Sequence, residues 1–212
     1  MTTLTLLKSR IADDLDRTDL TSQIANAISD AIEHYKNERF YFNETRSSTF
    51  ATVSAQSRYT SSDDADIPLW FELDAVFIND GTRELQLEPY DVIQMEYLLG
   101  QSSPGTGVPY AYSYYDRSFW LYPVPDSSSY TVRPLGVIEK AEPASDAESN
   151  NVWMTEAFEL IRCRAKLYLA GHVINDSDLA SRMAVAEDMA LRKLRRETGK
   201  RISTGRITPT AW

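Results

Sequence analysis

Hydrophobic residues near the start of the chain recur at the spacing of an α-helix. The first stripe consists of Leu4, Leu7, Ile11 and Leu15, and the second of Ile24, Ile28, Ala31, Ile32 and Tyr35. Spacings of three and four residues place each stripe on one helical face. The pattern predicts helices at 4–15 and 22–39, with Thr21 or Ser22 as the cap of the second. Since each helix has one apolar face, we expect the pair to pack against a larger body.

After residue 40, the spacing of apolar residues shortens from the helical period toward the two-residue period of a strand. This change predicts β-rich segments at 45–88 and 109–138. Within the first segment, Asn79–Thr82 contains an Asp-Gly pair that suits a tight hairpin turn. In the second segment, strands at 110–115, 118–122 and 130–137 are expected to form a three-stranded meander. Between the two segments, Pro89 is expected in the first turn of a short helix at 90–99.

Two longer helical patterns follow at 153–174 and 178–197. Residues 199–212 have no helical or strand period, and we interpret them as an extended C-terminal arm. The order of elements indicates an α+β fold, in which a predominantly helical bundle of two N-terminal and two long C-terminal helices carries a β-rich insertion. Residues 1–198 are treated as a single domain.

Composition and charge narrow the class of protein. Hydrophobic residues make up 42% of the 212 positions and charged residues 25%, which is typical of a globular protein. No apolar run reaches the length of a membrane helix, so no membrane association is expected. The net charge of −9 is uneven, because residues 1–150 carry −13 and residues 190–212 carry +6. An acidic body argues against binding of free duplex DNA by residues 1–150, because the phosphate backbone requires a positive surface.

The sequence offers few groups for catalysis or metal binding. His34 and His172 lie far apart, too few for a zinc site or a histidine-based triad. The single cysteine, Cys163, has arginine neighbours that could lower its pKa, but its mid-helix position favours a packed thiol. Gly105–Gly107 lacks the Lys-Ser/Thr of a phosphate-binding loop. We expect no catalytic residues, no metal and no cofactor.

One alternative involves a pair of carboxylates. Glu38 and Glu44 flank the aromatic segment Phe40-Tyr41-Phe42, and two carboxylates beside sugar-stacking rings could form a glycosidase site. Because the chain has 31 acidic residues, such a pair also arises by chance. Aromatic core residues at a helix-to-strand junction explain the same pattern without chemistry. A peptidoglycan hydrolase activity of the same body is therefore the alternative function.

The basic C-terminal residues suit a binding segment. Arg195 and Arg196 fall in the last turns of a helix, where cations meet the negative end of the helix dipole. The helix dipole does not explain the cations beyond the predicted helix, which alternate with apolar side chains. They are Lys200, Arg201, Ile202, Arg206, Ile207 and Trp212. An alternating segment of this kind is typical of one that lies along another protein.

Four regions of the chain resemble a known family. Residues 31–44 (AIEHYKNERFYFNE) are similar to the end of the second helix in head-to-tail adaptor proteins of tailed bacteriophages, also called head-completion or tail accessory proteins. Residues 109–126 are similar to the hairpin of these proteins. Trp153-Met154-Thr155-Glu156 at the start of a long helix, and the basic C-terminal extension, also match.

The resemblance implies a structural protein of the virion and not an enzyme. Copies, commonly twelve, would form a ring between the portal and the tail, in the neck of a particle assembled in the host cytoplasm. The ring would extend the channel for the genomic DNA, close the packaged head and offer a platform to a tail nozzle, hub or further connector. In this family the C-terminal arm typically docks on the portal.

Each part of this expectation can be assigned to residues of the chain. Portal binding is expected from Arg195 and Arg196 together with the arm. Contacts between subunits or with the tail are expected from two aromatic-rich segments, through Phe40, Tyr41, Phe42, Tyr112, Tyr114 and Tyr115.

Overall fold

The computed structural model describes residues 2–202, which divide into two compact units. The helical unit contains residues 2–42 and 140–202, and the β unit contains residues 43–139. The predicted α+β class is confirmed, with helices at both ends of the chain and a β-rich insertion between them. Within the predicted domain 1–198, each unit has its own hydrophobic cluster, so apolar side chains are buried separately in the two units.

The elements are numbered in chain order. The helices are α1 (Leu4–Leu15), α2 (Thr21–Tyr35), α3 (Val92–Leu99), α4 (Val152–Thr155), α5 (Phe158–Leu169) and α6 (Ser177–Ile202), with a π-helical turn at Ala170–Ile174. The strands are β1 (Glu44–Thr45), β2 (Phe50–Ala51), β3 (Arg58–Tyr59), β4 (Trp70–Asn79), β5 (Glu84–Gln86), β6 (Glu88–Pro89), β7 (Ala111–Tyr115), β8 (Ser118–Tyr122) and β9 (Thr131–Ile138). A 3₁₀ turn at Ile67–Leu69 precedes β4.

The N-terminal helices begin and end differently from the prediction. The side chain of Thr3 accepts a hydrogen bond from the Leu6 amide and caps α1. Helix α2 has no side-chain cap, since its N-cap position is Leu20, and the predicted cap at Thr21 or Ser22 was wrong. It ends at Tyr35, where the apolar stripe ends, and the chain then turns instead of continuing as a helix to residue 39.

Helix α5 lies at the centre of the helical unit, in contact with α1, α2 and α6. Its buried side chains join those of α1 and α2 in one cluster that excludes water. The predicted helix 153–174 is divided, because Glu156 and Ala157 separate α4 from α5 and the last turn is π-helical.

Helix α6 is longer than predicted. It extends to Ile202 and therefore includes Gly199, the predicted first residue of the extended arm. Leu194 and Thr198 are buried on one face of α6, and the Thr198 hydroxyl donates to the Leu194 carbonyl oxygen at 2.9 Å. Packing of this face stabilises the last turns of the helix against fraying.

The β unit consists of two sheets that share one hydrophobic cluster. The first sheet has the order β1-β9-β4-β5, with β2 also paired to β9, and the second has the order β3-β8-β7-β6. Every pairing is antiparallel except the parallel pairing of β6 with β7. The buried side chains of both sheets meet in that cluster, and α3 packs against β7 and β8.

The predicted strands of the β unit are mostly present, but their pairing differs in two places. The hairpins β4–β5 and β7–β8 are confirmed. The predicted meander was wrong, because β9 pairs with β4 in the other sheet and not with β8. Pro89 lies in β6, and α3 begins only at Val92, where the Asp91 carboxylate caps the helix.

No helix within residues 2–202 combines the length and the apolar character needed to cross a membrane.

Candidate interaction surface

The basic end of α6 and the aromatic segment after α2 are distant in sequence but in direct contact. The Arg201 guanidinium carbon lies 3.7 Å from the centroid of the Tyr41 ring, a cation–π contact. The Tyr41 amide donates to the Thr198 hydroxyl oxygen at 3.1 Å. Two predicted interaction regions therefore form one contact, which joins the end of α6 to the residues that follow α2.

Tyr41 is further fixed through its hydroxyl group, which donates to Oε2 of Glu156 at 2.5 Å. Burial, followed by the hydrogen bond to this carboxylate, raises the pKa of Tyr41 to about 12. The shift therefore keeps the hydroxyl protonated, and able to donate this bond, at more alkaline pH than for an exposed tyrosine.

Six residues before Arg201 on α6, Arg195 Nε donates to Glu38 Oε1 at 2.7 Å. Together with the Arg201 contact, this pair gives the C-terminal part of α6 a defined position on its own unit. Arg195 and Arg201 are thus already engaged with side chains of the same chain.

Other cations at the end of α6 face solvent. Lys193, Arg196 and Lys200 are exposed, and the structure records no ion pair for them with any residue between 2 and 202. Ile202 is the last described residue, and the predicted arm residues Arg206, Ile207 and Trp212 lie outside the described residues. The described end of α6 therefore carries a basic surface.

The aromatic residues predicted for subunit or tail contacts have different surroundings. Phe40 is fully buried, and Phe42 stacks on it with centroids 5.1 Å apart. In the β unit, Tyr112 is 7% exposed, whereas the partly buried Tyr114 donates its hydroxyl to the backbone carbonyls of Ile67 and Trp70. Phe40 and Tyr112 contribute to the cores of this chain, since their rings are enclosed by it.

Tyr115 is 58% exposed and is the most accessible of the predicted aromatic contacts. It borders a shallow groove of about 420 Å³ in the β unit. The groove is lined by Phe71, Leu73, Pro89, Tyr90, Asp91, Val92, Tyr112, Ser113, Tyr114 and Tyr115. Aromatic and apolar lining of this kind is typical of a protein contact.

A buried polar cluster in the helical unit was not found from the sequence. The Tyr35 hydroxyl donates a short hydrogen bond to the carboxylate of Glu187, which also accepts from Arg164 Nη1 at 3.2 Å. Glu187 is 8% exposed, and the three residues join α2, α5 and α6. Burial, followed by the bond to this carboxylate, raises the pKa of Tyr35 well above its usual value. The hydrogen bonds of this cluster connect three helices of the unit.

The residues considered for chemistry do not converge on a reaction centre within the described range. Cys163 is buried, and burial raises its pKa to about 11, which confirms the packed thiol. Glu38 pairs with Arg195 in the helical unit, while Glu44 lies on β1 of the β unit. No group of three or more His, Cys, Asp or Glu residues within 2–202 is placed to hold a metal ion.

Comparison with models of known protein families identifies the family of this chain. A family model described as SU10 adaptor protein matches residues 1–210. The chain belongs to the SU10 adaptor protein family. This adaptor is accordingly a structural protein of a bacteriophage and a component of its virion. No curated protein shows significant similarity to the chain.

The family match covers the residues that form the end of α6 and the groove of the β unit. The match includes both units as well as residues 203–210 beyond the described range. The described residues include a basic end of α6 and an aromatic groove in the β unit. Both are suited to binding proteins.

Proposed function

We propose that the adaptor forms a ring between the portal protein and the tail of the phage, in twelve copies. The ring lies in the neck of the virion, extends the DNA channel, closes the head after packaging and offers the tail its attachment platform. Membership of the adaptor family over residues 1–210 carries this proposal. Assembly takes place in the host cytoplasm, and the genome passes through the lumen without sequence-specific contacts.

Portal binding is assigned to the residues beyond α6, through Arg206, Ile207 and Trp212. The contacts of Arg195 and Arg201 with Glu38 and Tyr41 support this assignment, because they hold the last described turns of α6 on the helical unit. A fixed end of α6 lowers the conformational entropy lost when a partner binds there. Beyond it, Arg206 supplies charge and Trp212 a large aromatic anchor.

The experiment compares the full chain with a chain that ends at Ile202, which preserves the Arg201–Tyr41 contact and all of α6. We expect the truncation to weaken binding to the portal protein of the same phage at least tenfold, because interface anchors of this kind dominate affinity. Circular dichroism of the truncated chain should remain unchanged. Binding is measured by biolayer interferometry with immobilised portal.

Arg46→Ala serves as the matched control, because it removes one exposed cation from the β unit, as the truncation removes Arg206. This variant should bind the portal like the full chain. Equal portal affinity of the truncated and full-length proteins would move the interface to the described helices. Electron microscopy of the complex then counts the copies in the ring, and a portal complex without a ring of adaptors contradicts the proposal.

A further inference from the structure

Helix α3 of the β unit presents two large apolar side chains to solvent. Ile93 is 77% exposed and Tyr97 is 71% exposed. They are four residues apart and therefore lie side by side on one helical face. On the opposite face Met95 is fully buried, so the orientation of the helix on its own unit is fixed. Exposed neighbouring apolar residues of this size indicate a protein contact.

The surroundings of this apolar pair are acidic. Glu96 lies between Ile93 and Tyr97 on α3, and Glu88 and Asp91 precede the helix; all three are exposed. The sequence contains no Lys or Arg between Arg83 and Arg117. We call Ile93, Tyr97, Glu88, Asp91 and Glu96 the α3 face.

Helix α6 of the helical unit carries a face that resembles the α3 face in its two exposed apolar residues but has mainly basic charges. Val185 is 60% exposed and Met189 is 67% exposed. The same stripe continues toward the C-terminus at spacings of three and four residues with the exposed cations Arg192, Arg196 and Lys200. We call these five residues the α6 face. Within it, Arg192 pairs with Asp188 of its own helix at 2.9 Å.

These two faces together hold the four most exposed large apolar side chains of the described residues. Each face combines two apolar residues with charged ones, which are acidic on α3 and predominantly basic on α6, where Asp188 pairs with Arg192. Burial of the apolar pairs against each other would remove them from water, while the flanking charges select the partner.

We propose that the α6 face of one adaptor copy packs against the α3 face of the next copy. This inference rests on the proposed ring and names its subunit interface. Two different surfaces of the same chain meet in a head-to-tail contact, which closes into a ring when the rotation between copies is a whole fraction of a turn. The occupant of each face is a second copy, because the complementary face is present on every chain.

Charge reversal tests the pairing. Glu96→Lys and Arg196→Glu should each weaken self-association at least tenfold, since each places like charges across the contact. The double variant should regain association. An equimolar mixture of the two single variants should regain it as well, because alternating copies meet through one natural and one reversed contact. Sedimentation velocity measures association with and without the portal protein.

Matched controls make the same charge changes elsewhere. Asp30→Lys on α2 and Arg46→Glu in the β unit alter exposed residues outside both faces. The dissociation constant for self-association of these variants should stay within about twofold of that of the unmodified protein.

Disulfide cross-linking tests the geometry directly, since the native Cys163 is buried. A chain with Tyr97→Cys and Met189→Cys should give a ladder of trimers, tetramers and larger covalent species on oxidation. Each single variant can give dimers at most. A pair with Val53→Cys in place of Tyr97→Cys tests an exposed apolar position away from α3 and should give no ladder.

The outcomes separate this inference from the proposed function. If rings form but the charge reversals act like their controls and no ladder appears, the α3 and α6 faces are not the interface, and the ring remains. If no ring forms with or without portal, both the proposed function and the inference are overturned.

Discussion

At the scale of single residues, Gly136 shows how closely two strands approach. Its backbone has φ +158, and a Cβ atom placed there would lie 2.1 Å from the Glu72 carbonyl oxygen and 2.9 Å from the Leu73 Cα. Both atoms belong to the backbone of β4, which cannot move without loss of the β4–β9 pairing. A methyl group at this position therefore has no space.

We predict that Gly136→Ala destabilises the β unit by about 3 kcal/mol or more, at or above the upper end of the usual cost of overpacking. Urea unfolding followed by near-ultraviolet circular dichroism measures the change. Gly171→Ala is the control, because a Cβ there meets nothing within 4 Å, and it should change stability by less than about 0.5 kcal/mol. A stable Gly136→Ala protein would show that β9 and β4 can separate locally.

The second residue-scale prediction concerns Cys163. Burial, together with the charge of Glu159, raises the pKa of its thiol to about 11. Since a free thiol has a pKa of about 8.5 and only the thiolate reacts, we expect the folded protein to react with Ellman's reagent at pH 8 about 100-fold more slowly than the unfolded chain. Absorbance at 412 nm in buffer and in guanidinium chloride measures both rates. Similar rates would place the thiol at an accessible position.

At the scale of elements, α1 is held to α5 by charges. The Asp14 carboxylate accepts hydrogen bonds from Arg162 at 2.7 and 2.9 Å and from Lys166 at 2.8 Å. Burial raises the pKa of Asp14, but the bonds and charges of Lys166 and Arg162 outweigh burial and lower it below its usual value. Lys166 is only 9% exposed, so its ammonium group depends on this partner.

We predict that Asp14→Asn destabilises the helical unit by about 1–2 kcal/mol, less than a fully buried pair because Asp14 is partly exposed. The depressed pKa also fixes the direction of the pH effect. The stabilisation from the Asp14 ion pairs is fully present above the pKa of Asp14 in the unfolded chain, about 3.9. It is lost as the pH falls through the lower pKa of Asp14 in the folded protein.

Denaturant unfolding at pH 7 and at pH 3, followed at 222 nm, measures both effects. The difference between unmodified protein and Asp14→Asn should shrink at pH 3. Asp13→Asn, a substitution at the neighbouring exposed residue, should have little effect at either pH. An equal loss in both variants would assign the effect to net charge instead of to the ion pairs.

At the scale of the whole molecule, the β unit is inserted into the helical unit at adjacent positions. Glu44 pairs with Val137 in neighbouring antiparallel strands, and the Ile138 amide donates to the Asn43 carbonyl oxygen at 3.1 Å. The two ends of the insertion are therefore close together, and each unit has its own core. Domains with these properties commonly fold independently.

We predict that residues 43–139 fold as a separate fragment with a cooperative thermal transition. A chain in which a short Gly/Ser linker replaces 43–139 should retain the helical circular dichroism of the remaining residues. Calorimetry of the fragment, the linked chain and the full protein tests independence. A fragment without a transition would show that the β unit needs the helical unit in order to fold.

The sequence by itself determined the local elements. Apolar stripes identified the helices, as with Leu4 to Leu15. The Asp-Gly turn identified the β4–β5 hairpin, and the strand patterns at 110–115 and 118–122 identified the β7–β8 hairpin. These signals are local, because side-chain periodicity and turn chemistry depend on residues within a few positions of one another. The uneven charge was also evident from the sequence.

Only the tertiary structure decided which distant residues meet. The pairing of β9 with β4, the enclosure of Phe40 and Tyr112, and the contact of Arg201 with Tyr41 each join residues far apart in the chain. The exposed positions of Ile93 and Tyr97 likewise depended on which face of α3 packs on the sheet, because an apolar helix offers several equivalent faces in sequence. Long-range packing selects among alternatives that local preferences leave nearly equal in free energy.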